Sequence, residues 1–252
     1  MKTNENATEV VPGPMLLLGA PGSGKGTQAK NIMAAWGIPQ ISTGDLLREN
    51  KARGTALGLQ ASHLMSQGKL VPDDLVNEMV AARLAEPDTK RGYILDGYPR
   101  TLGQAQWLDQ RLNLGLDQRS NLGLDQRLDD NLGGAPAGFP VIAVSIRVSY
   151  NQLLCRITGR RNCPTCQRIY NVYLQPPRVD TVCDVEGTPL VARADDVEVV
   201  FHERMRVYET LTAPVVDHYR AKGRFIEVDG EHSVDEVTAA ITAAVMRLRQ
   251  QA

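Results

Sequence analysis

The chain is poor in aromatic residues and in cysteine, and it carries almost no net charge. Of its 252 residues, 5% are Phe, Trp or Tyr, four are Cys, and 28 Lys and Arg stand against 29 Asp and Glu. A balance of −1 excludes the global basic field that non-specific nucleic-acid binding requires. Four cysteines do not make a disulfide framework for a chain long enough to bury an ample core, so a reducing cytoplasm is the expected setting. No apolar run approaches the roughly 20 residues needed to cross a bilayer, and no membrane association is expected. Residues 1–13 lack the apolar centre of a secretory signal and read as a disordered polar tail. The length fits one compact α/β domain with smaller insertions.

What the chain does have is a glycine-rich stretch, GAPGSGKGT, from Gly19 to Thr27. It follows the apolar run Met15-Leu16-Leu17-Leu18, which reads as a buried strand, and leads into a helical pattern from Gln28 to Trp36. Strand, GxxxxGK turn and helix make a phosphate-binding loop. Residues without Cβ let backbone N–H groups of Gly22, Ser23, Gly24, Gly26 and Thr27 converge on phosphate oxygens, and the helix N-terminus adds its positive dipole end. Lys25 supplies a mobile charge toward the β- and γ-phosphates. The plainer alternative is a turn that merely joins strand to helix. The hydroxyl that usually follows the lysine comes one place late, at Thr27, so Gly26 removes a direct grip on magnesium.

Further along, Ser42, Thr43 or Asp45 can cap a helix carrying Leu46 to Arg48, and Leu59 to Gln67 reads as another. Pro72, Asp73 and Asp74 open a helix that stops before Pro87. A second buried strand, Tyr93 to Asp96, is followed by Gly97-Tyr98-Pro99-Arg100 and a helix from Thr101 to about Arg111. A tandem repeat, NLGLDQRS then NLGLDQRL, begins at Asn113. A period of eight turns a helix by about 80° per repeat, so its leucines would spiral, and Gly115 and Gly123 weaken a helix further. Residues 113–139 are therefore expected to be an irregular surface insertion, with a partner-binding arm as the alternative. A strand at 141–148, a helix at 150–158, a long helix at 197–220 bent near Pro214, a strand at 224–228 and a capped helix from Ser233 complete an alternation. That order implies a parallel sheet with helices on both faces.

The segments GAPGSGKGTQA, ISTGDLLR, GKLVPDDLV, LDGYPRTLGQA, GRRNC, RADD and HERMRVY occur together in this order. In this the chain resembles the adenylate kinases, specifically those with a long lid, over roughly residues 14–112 and 141–249. The resemblance implies an α/β phosphate-loop core at 14–41, 72–158 and 197–252. It also implies an AMP-binding helical insertion at 42–71 and a lid at 159–196. The implied activity is reversible Mg-dependent transfer, ATP + AMP = 2 ADP, by a cytoplasmic monomer whose ligands are ATP, AMP and ADP. Such chemistry is positioning and charge stabilisation, and the AMP phosphate needs no general base because its second pKa is about 6.

The resemblance assigns Arg48, Arg100, Arg193 and Arg204 to AMP or the transferring phosphate, Arg160 to the ATP phosphates, and Asp96 to magnesium and its water shell. It puts Arg156, Ile169, Tyr170 and the backbone of His232 around the ATP adenine. AMP falls to Thr43, Arg48, the backbone of Lys69, Leu70 and Val71, the stretch Gly97, Tyr98, Pro99 and Arg100, and Gln104; Thr43 and Gln104 would read the base edge. A related kinase using GTP as donor or another monophosphate as acceptor is the alternative, and a nucleotide-binding regulator is a third reading.

Cys163, Cys166, Cys183 and Glu186 follow a C-x2-C…C-x2-E spacing that resembles the zinc-bearing lid of many adenylate kinases. Paired ligands across two turns suit a closed structural zinc site. Glu186 replaces the usual Cys or Asp, and neighbouring Asp184 is a rival fourth ligand. A redox CxxC is the competing reading. Cys155, at an apolar helix position, is expected in the core.

Overall fold

The structure, a computed structural model, describes residues 12–122 and 140–251. Most of the expected polar tail and the rest of the repeat insertion, 123–139, lie outside the described residues.

The elements run in chain order as β1 (Gly13–Leu18), α1 (Lys25–Trp36), β2 (Gln40–Ser42), α2 (Thr43–Ala52), α3 (Ala56–Ser66), α4 (Asp73–Leu84) and β3 (Gly92–Asp96). They continue with α5 (Leu102–Leu122), β4 (Ile142–Arg147), α6 (Tyr150–Thr158), β5 (Arg160–Asn162) and β6 (Ile169–Asn171). The chain closes with α7 (Glu198–Val207), α8 (Ala213–Ala221), β7 (Phe225–Asp229) and α9 (Val234–Gln251). Five strands form one parallel sheet in the order β2-β3-β1-β4-β7, and β5 and β6 form a separate antiparallel hairpin.

Strand side chains alternate between the two faces, and each face builds its own core. Leu16 and Leu18 of β1, with Tyr93 and Leu95 of β3, pack against α4, α5 and α8 through Val80, Leu108 and Val215. Met15 and Leu17, with Ile94, Val144 and Ile146, pack against α1 and α9 through Ile32, Ile241 and Val245. Strands buried on both faces explain why the sequence shows them as unbroken apolar runs. The strand β2 has only three residues and no such run, and the sequence reading passed over it.

Local chemistry fixes several boundaries. Ser42 caps α2, its Oγ accepting from the Asp45 N–H at 3.3 Å. Ser233 and Glu236 form the expected capping box at the start of α9. Between α7 and α8 the chain takes one π-helical turn, Tyr208–Thr212, just before Pro214, so the expected bend is absorbed as a widened turn. The helix expected to stop near Arg111 instead runs to Leu122, through the first copy of the repeat, and corrects the expected start of irregular structure at Asn113. Gly115 costs a helix about 1 kcal/mol, too little to end one already nucleated by the preceding turns.

Candidate active site

The loop after β1 turns on glycines in conformations closed to other residues. Gly19, Gly22 and Gly24 have φ of 139°, 84° and 99°. A Cβ on Gly19 would lie 2.7 Å from the Ile146 carbonyl oxygen. Gly24 caps α1, so the helix starts at Lys25 with its first N–H groups facing the loop. The Lys25 ammonium donates to the Gly19 and Ala20 carbonyls at 2.8 and 2.9 Å and to Ser23 Oγ at 3.3 Å. Burial lowers its pKa to about 8; Asp96 opposes that shift, while Arg100, Arg204 and Arg160 add to it.

Asp96 ends β3 beside this loop, its Oδ2 3.4 Å from where a Cβ on Gly26 would sit. Gln40 Nε2 donates to the same oxygen at 2.9 Å. Desolvation raises the carboxyl pKa against the pull of Lys25 and Arg100. A buried carboxylate under that penalty, next to a phosphate loop, suits a hard oxygen-seeking cation.

The arginines arrive from separate elements. Arg100 follows β3 and donates from Nε to the Gly97 carbonyl at 2.8 Å. Its pKa falls to about 10 through desolvation and Arg204, still far above neutrality, so the charge stays. Arg160, at the start of β5, holds Asp196 through two bonds of 2.7 and 2.5 Å, and the Asp196 side chain is fully buried. Arg204 on α7 pairs with Asp195 at 2.9 Å. Arg48 on α2 pairs with Asp45 at 2.5 Å. The Arg193 carbonyl accepts from the Asp196 N–H at 3.1 Å, its guanidinium makes no hydrogen bond or ion pair with a described residue, and desolvation with Arg160 and Arg48 lowers its pKa to about 10. Six cations thus face four carboxylates, Asp45, Asp96, Asp195 and Asp196. The surplus is what a bound polyanion would neutralise.

A cleft beside this cluster is lined by Thr43, Arg48, Arg100, Gln104 and Arg204, and by Lys69, Leu70 and Val71 along its wall. Thr43 Oγ1 donates to the Gly97 carbonyl at 2.9 Å, leaving its oxygen able to accept. Gly97 lines the cleft too, but Tyr98 and Pro99 are buried. The Tyr98 hydroxyl donates to Asn77 Oδ1 at 2.6 Å in the core.

On the other side of the loop, Arg156 Nη2 donates to the Gly230 carbonyl at 2.8 Å, and His232 follows two residues later with its side chain exposed. Ile169 is half-buried on the hairpin, on the same face as Arg160 by strand alternation. The Tyr170 side chain points the other way, buried in the lid with its hydroxyl 3.5 Å from Cys183 Sγ.

In the lid, the Sγ atoms of Cys163, Cys166 and Cys183 all lie within 4.8 Å of one another. The Cys166 N–H points at Cys163 Sγ, 3.5 Å away, and N–H groups of Val185 and Glu186 point at Cys183. Backbone donors on clustered sulfurs stabilise thiolates, the form that binds metal. The carboxylate of Glu186 does not join the three sulfurs and its side chain is exposed; the Asp184 carboxylate accepts from the Arg178 N–H at 2.8 Å. Cys155 is exposed rather than in the core, because α6 buries Leu153 and Ile157 on its opposite side.

Sequence reasoning missed the acids that hold the cations, Asp45, Asp195 and Asp196, and Asp73 behind Gln104. The adjacent pair in RADD was visible, and the need to neutralise clustered arginines could have singled it out.

A model of the adenylate kinase family matches residues 17–224. The chain belongs to the adenylate kinase family. It is similar to the adenylate kinase of Methanocella arvoryzae, 40% identical over 92% of this chain and 98% of that protein. It is 43% identical to that of Nitrosococcus oceani over 90% of this chain and 95% of the relative. With that of Thermodesulfovibrio yellowstonii the figures are 43%, 91% and 97%. For an adenylate kinase such a cluster is chemically apt: the family's phosphotransferase reaction is carried by positioned positive charge.

Proposed function

We propose that this chain interconverts ATP and AMP with two ADP through the cation cluster just described. The observation that carries the reading is the convergence of Lys25, Arg48, Arg100, Arg160, Arg193 and Arg204 on a phosphate loop and an adjoining cleft. The ATP phosphates would lie against Gly22 to Thr27 and Lys25, with Arg160 from the lid side and the base near Arg156, Ile169 and the backbone at His232. AMP would occupy the cleft, its base against Thr43 and Gln104 and its phosphate against Arg48, Arg100, Arg193 and Arg204. An ionised AMP phosphate oxygen attacks the γ-phosphorus in line as the bond to the β-bridging oxygen breaks, and the cations stabilise the charge on the transferring group. Magnesium, held through Asp96, would supply further charge neutralisation on the phosphates. The three relatives named above carry the adenylate kinase name, which does not favour a different acceptor.

The lid thiols fit a structural zinc held by Cys163, Cys166 and Cys183; Glu186 or Asp184 would have to turn its carboxylate toward the sulfurs to serve as fourth ligand. Among the described residues no helix is long and apolar enough to cross a membrane, and a cytoplasmic monomer is the setting we propose. The test of the reaction is ADP formation from Mg–ATP with AMP, CMP, UMP and GMP in parallel. Selective AMP turnover is expected, and equal turnover of another monophosphate would overturn the roles of Thr43 and Gln104.

A further inference from the structure

Gln104 presents an amide to the cleft, yet it is only 2% exposed and both ends of the amide are already held. Its Oε1 accepts from the Arg100 N–H at 2.7 Å, and its Nε2 donates to Asp73 Oδ1 at 2.8 Å. The second oxygen of Asp73 accepts from the Thr101 hydroxyl at 2.6 Å, and Thr101 Oγ1 accepts in turn from the Gln104 N–H at 3.1 Å. Asp73 is not among the residues lining the cleft.

The chemistry of the two partners leaves the amide no choice of orientation. A backbone N–H can only donate and a carboxylate can only accept, so oxygen must face Arg100 and nitrogen must face Asp73. A flipped amide would set donor against donor and acceptor against acceptor. One lone pair on Oε1 and one hydrogen on Nε2 remain for a ligand. That pair matches a purine edge carrying a 6-amino donor beside an N1 acceptor, and it mismatches a 6-oxo purine, whose N1 carries hydrogen.

We propose that Asp73 is a positioning residue for nucleobase specificity: by holding Nε2 of Gln104, it fixes the amide in the sense that accepts a 6-aminopurine monophosphate and rejects a 6-oxopurine. The inference rests on Gln104 reading the acceptor base and extends that reading to a residue that never touches the ligand. Its position at the start of α4 also places Asp73 where any acid favours the helix dipole, so a purely structural role is the competing explanation.

The experiment compares kcat/KM for AMP and for IMP in the unaltered protein, Asp73→Ala, Asp73→Asn, Gln104→Ala and the Asp73→Ala/Gln104→Ala double variant, with thermal melting of each. Asp73→Ala should lower the AMP-to-IMP ratio roughly tenfold, through KM for AMP more than through kcat. Asp73→Asn should restore it to within about threefold, because a neutral side-chain oxygen can still accept from Nε2 while its amide nitrogen turns to the Thr101 hydroxyl. The double variant should be no less selective than Gln104→Ala alone. A ratio unchanged by Asp73→Ala but collapsed by Gln104→Ala overturns the positioning role, as does Asp73→Asn behaving no better than Asp73→Ala. A ratio unchanged by Gln104→Ala instead removes the base-reading role of Gln104 and the inference with it. Should Asp73→Ala fail to fold, Asp73→Glu, which displaces the carboxylate by one methylene, carries the same expectation of lost selectivity, and an unchanged ratio there overturns the proposal.

Discussion

Lys25 sits folded onto the carbonyls of its own loop, with a pKa lowered to about 8 by burial and by neighbouring arginines. Because the folded value lies below the ordinary 10.5, its charge costs stability at every pH below about 8, and that cost fades as the pH rises from 8 toward 10.5. A phosphate set against the ammonium would restore the ordinary affinity for the proton. Nucleotide binding inside that window is therefore expected to take up protons, and Lys25→Met should abolish the uptake. Calorimetry in buffers of different ionisation enthalpy measures this, and equal uptake by both proteins would remove Lys25 from the phosphate contact. The same variant should lower kcat by about 10² to 10³ with its melting curve retained. Lys25 was legible from sequence because a local motif fixes both its neighbours and its chemistry. Asp73 and Asp196 were not, since their partners lie 31 and 36 residues away and no periodicity signals such a bond.

At the scale of elements, the buried strands and the capped helices were readable, and so was a small hairpin at the paired cysteines. The misreadings have physical causes. The strand β2 gains its place from pairing with β3 rather than from its own three residues. The helix α5 continues past Arg111 because helix propagation tolerates an isolated glycine. The lid contributes so little apolar surface that its small core is Tyr170 and two thiols, with Leu190 packed against them. So thin a core would gain most of its stability from the metal proposed for its thiols. Removing metal with a chelator, or replacing Cys163 with Ser, is expected to lower the lid's calorimetric transition and leave the core transition in place. Chelated protein with an unchanged thermogram would rule out a structural metal.

For the whole molecule, the lid is tied to the core where it leaves and where it returns. Arg160 and Asp196 join its two ends through a bidentate pair, and Asn162 and Val191 exchange backbone hydrogen bonds of 2.8 and 2.9 Å just inside them. Asp196→Asn should cost roughly 3 kcal/mol, because it strips a buried cation of its counter-charge. Urea unfolding measures the loss, and a change under about 0.5 kcal/mol would mean that Arg160 finds another partner. Between the two anchor points of this stem the segment touches the rest of the molecule again: Asn171 Nδ2 donates to the Cys155 and Arg156 carbonyls at 3.2 and 3.1 Å, and the Lys30 ammonium donates to the Gln167 carbonyl at 3.1 Å. A replacement for residues 163–190 must therefore reproduce the contact with α6 as well as the stem. A grafted segment of different length that keeps both is expected to leave the five parallel strands where they are.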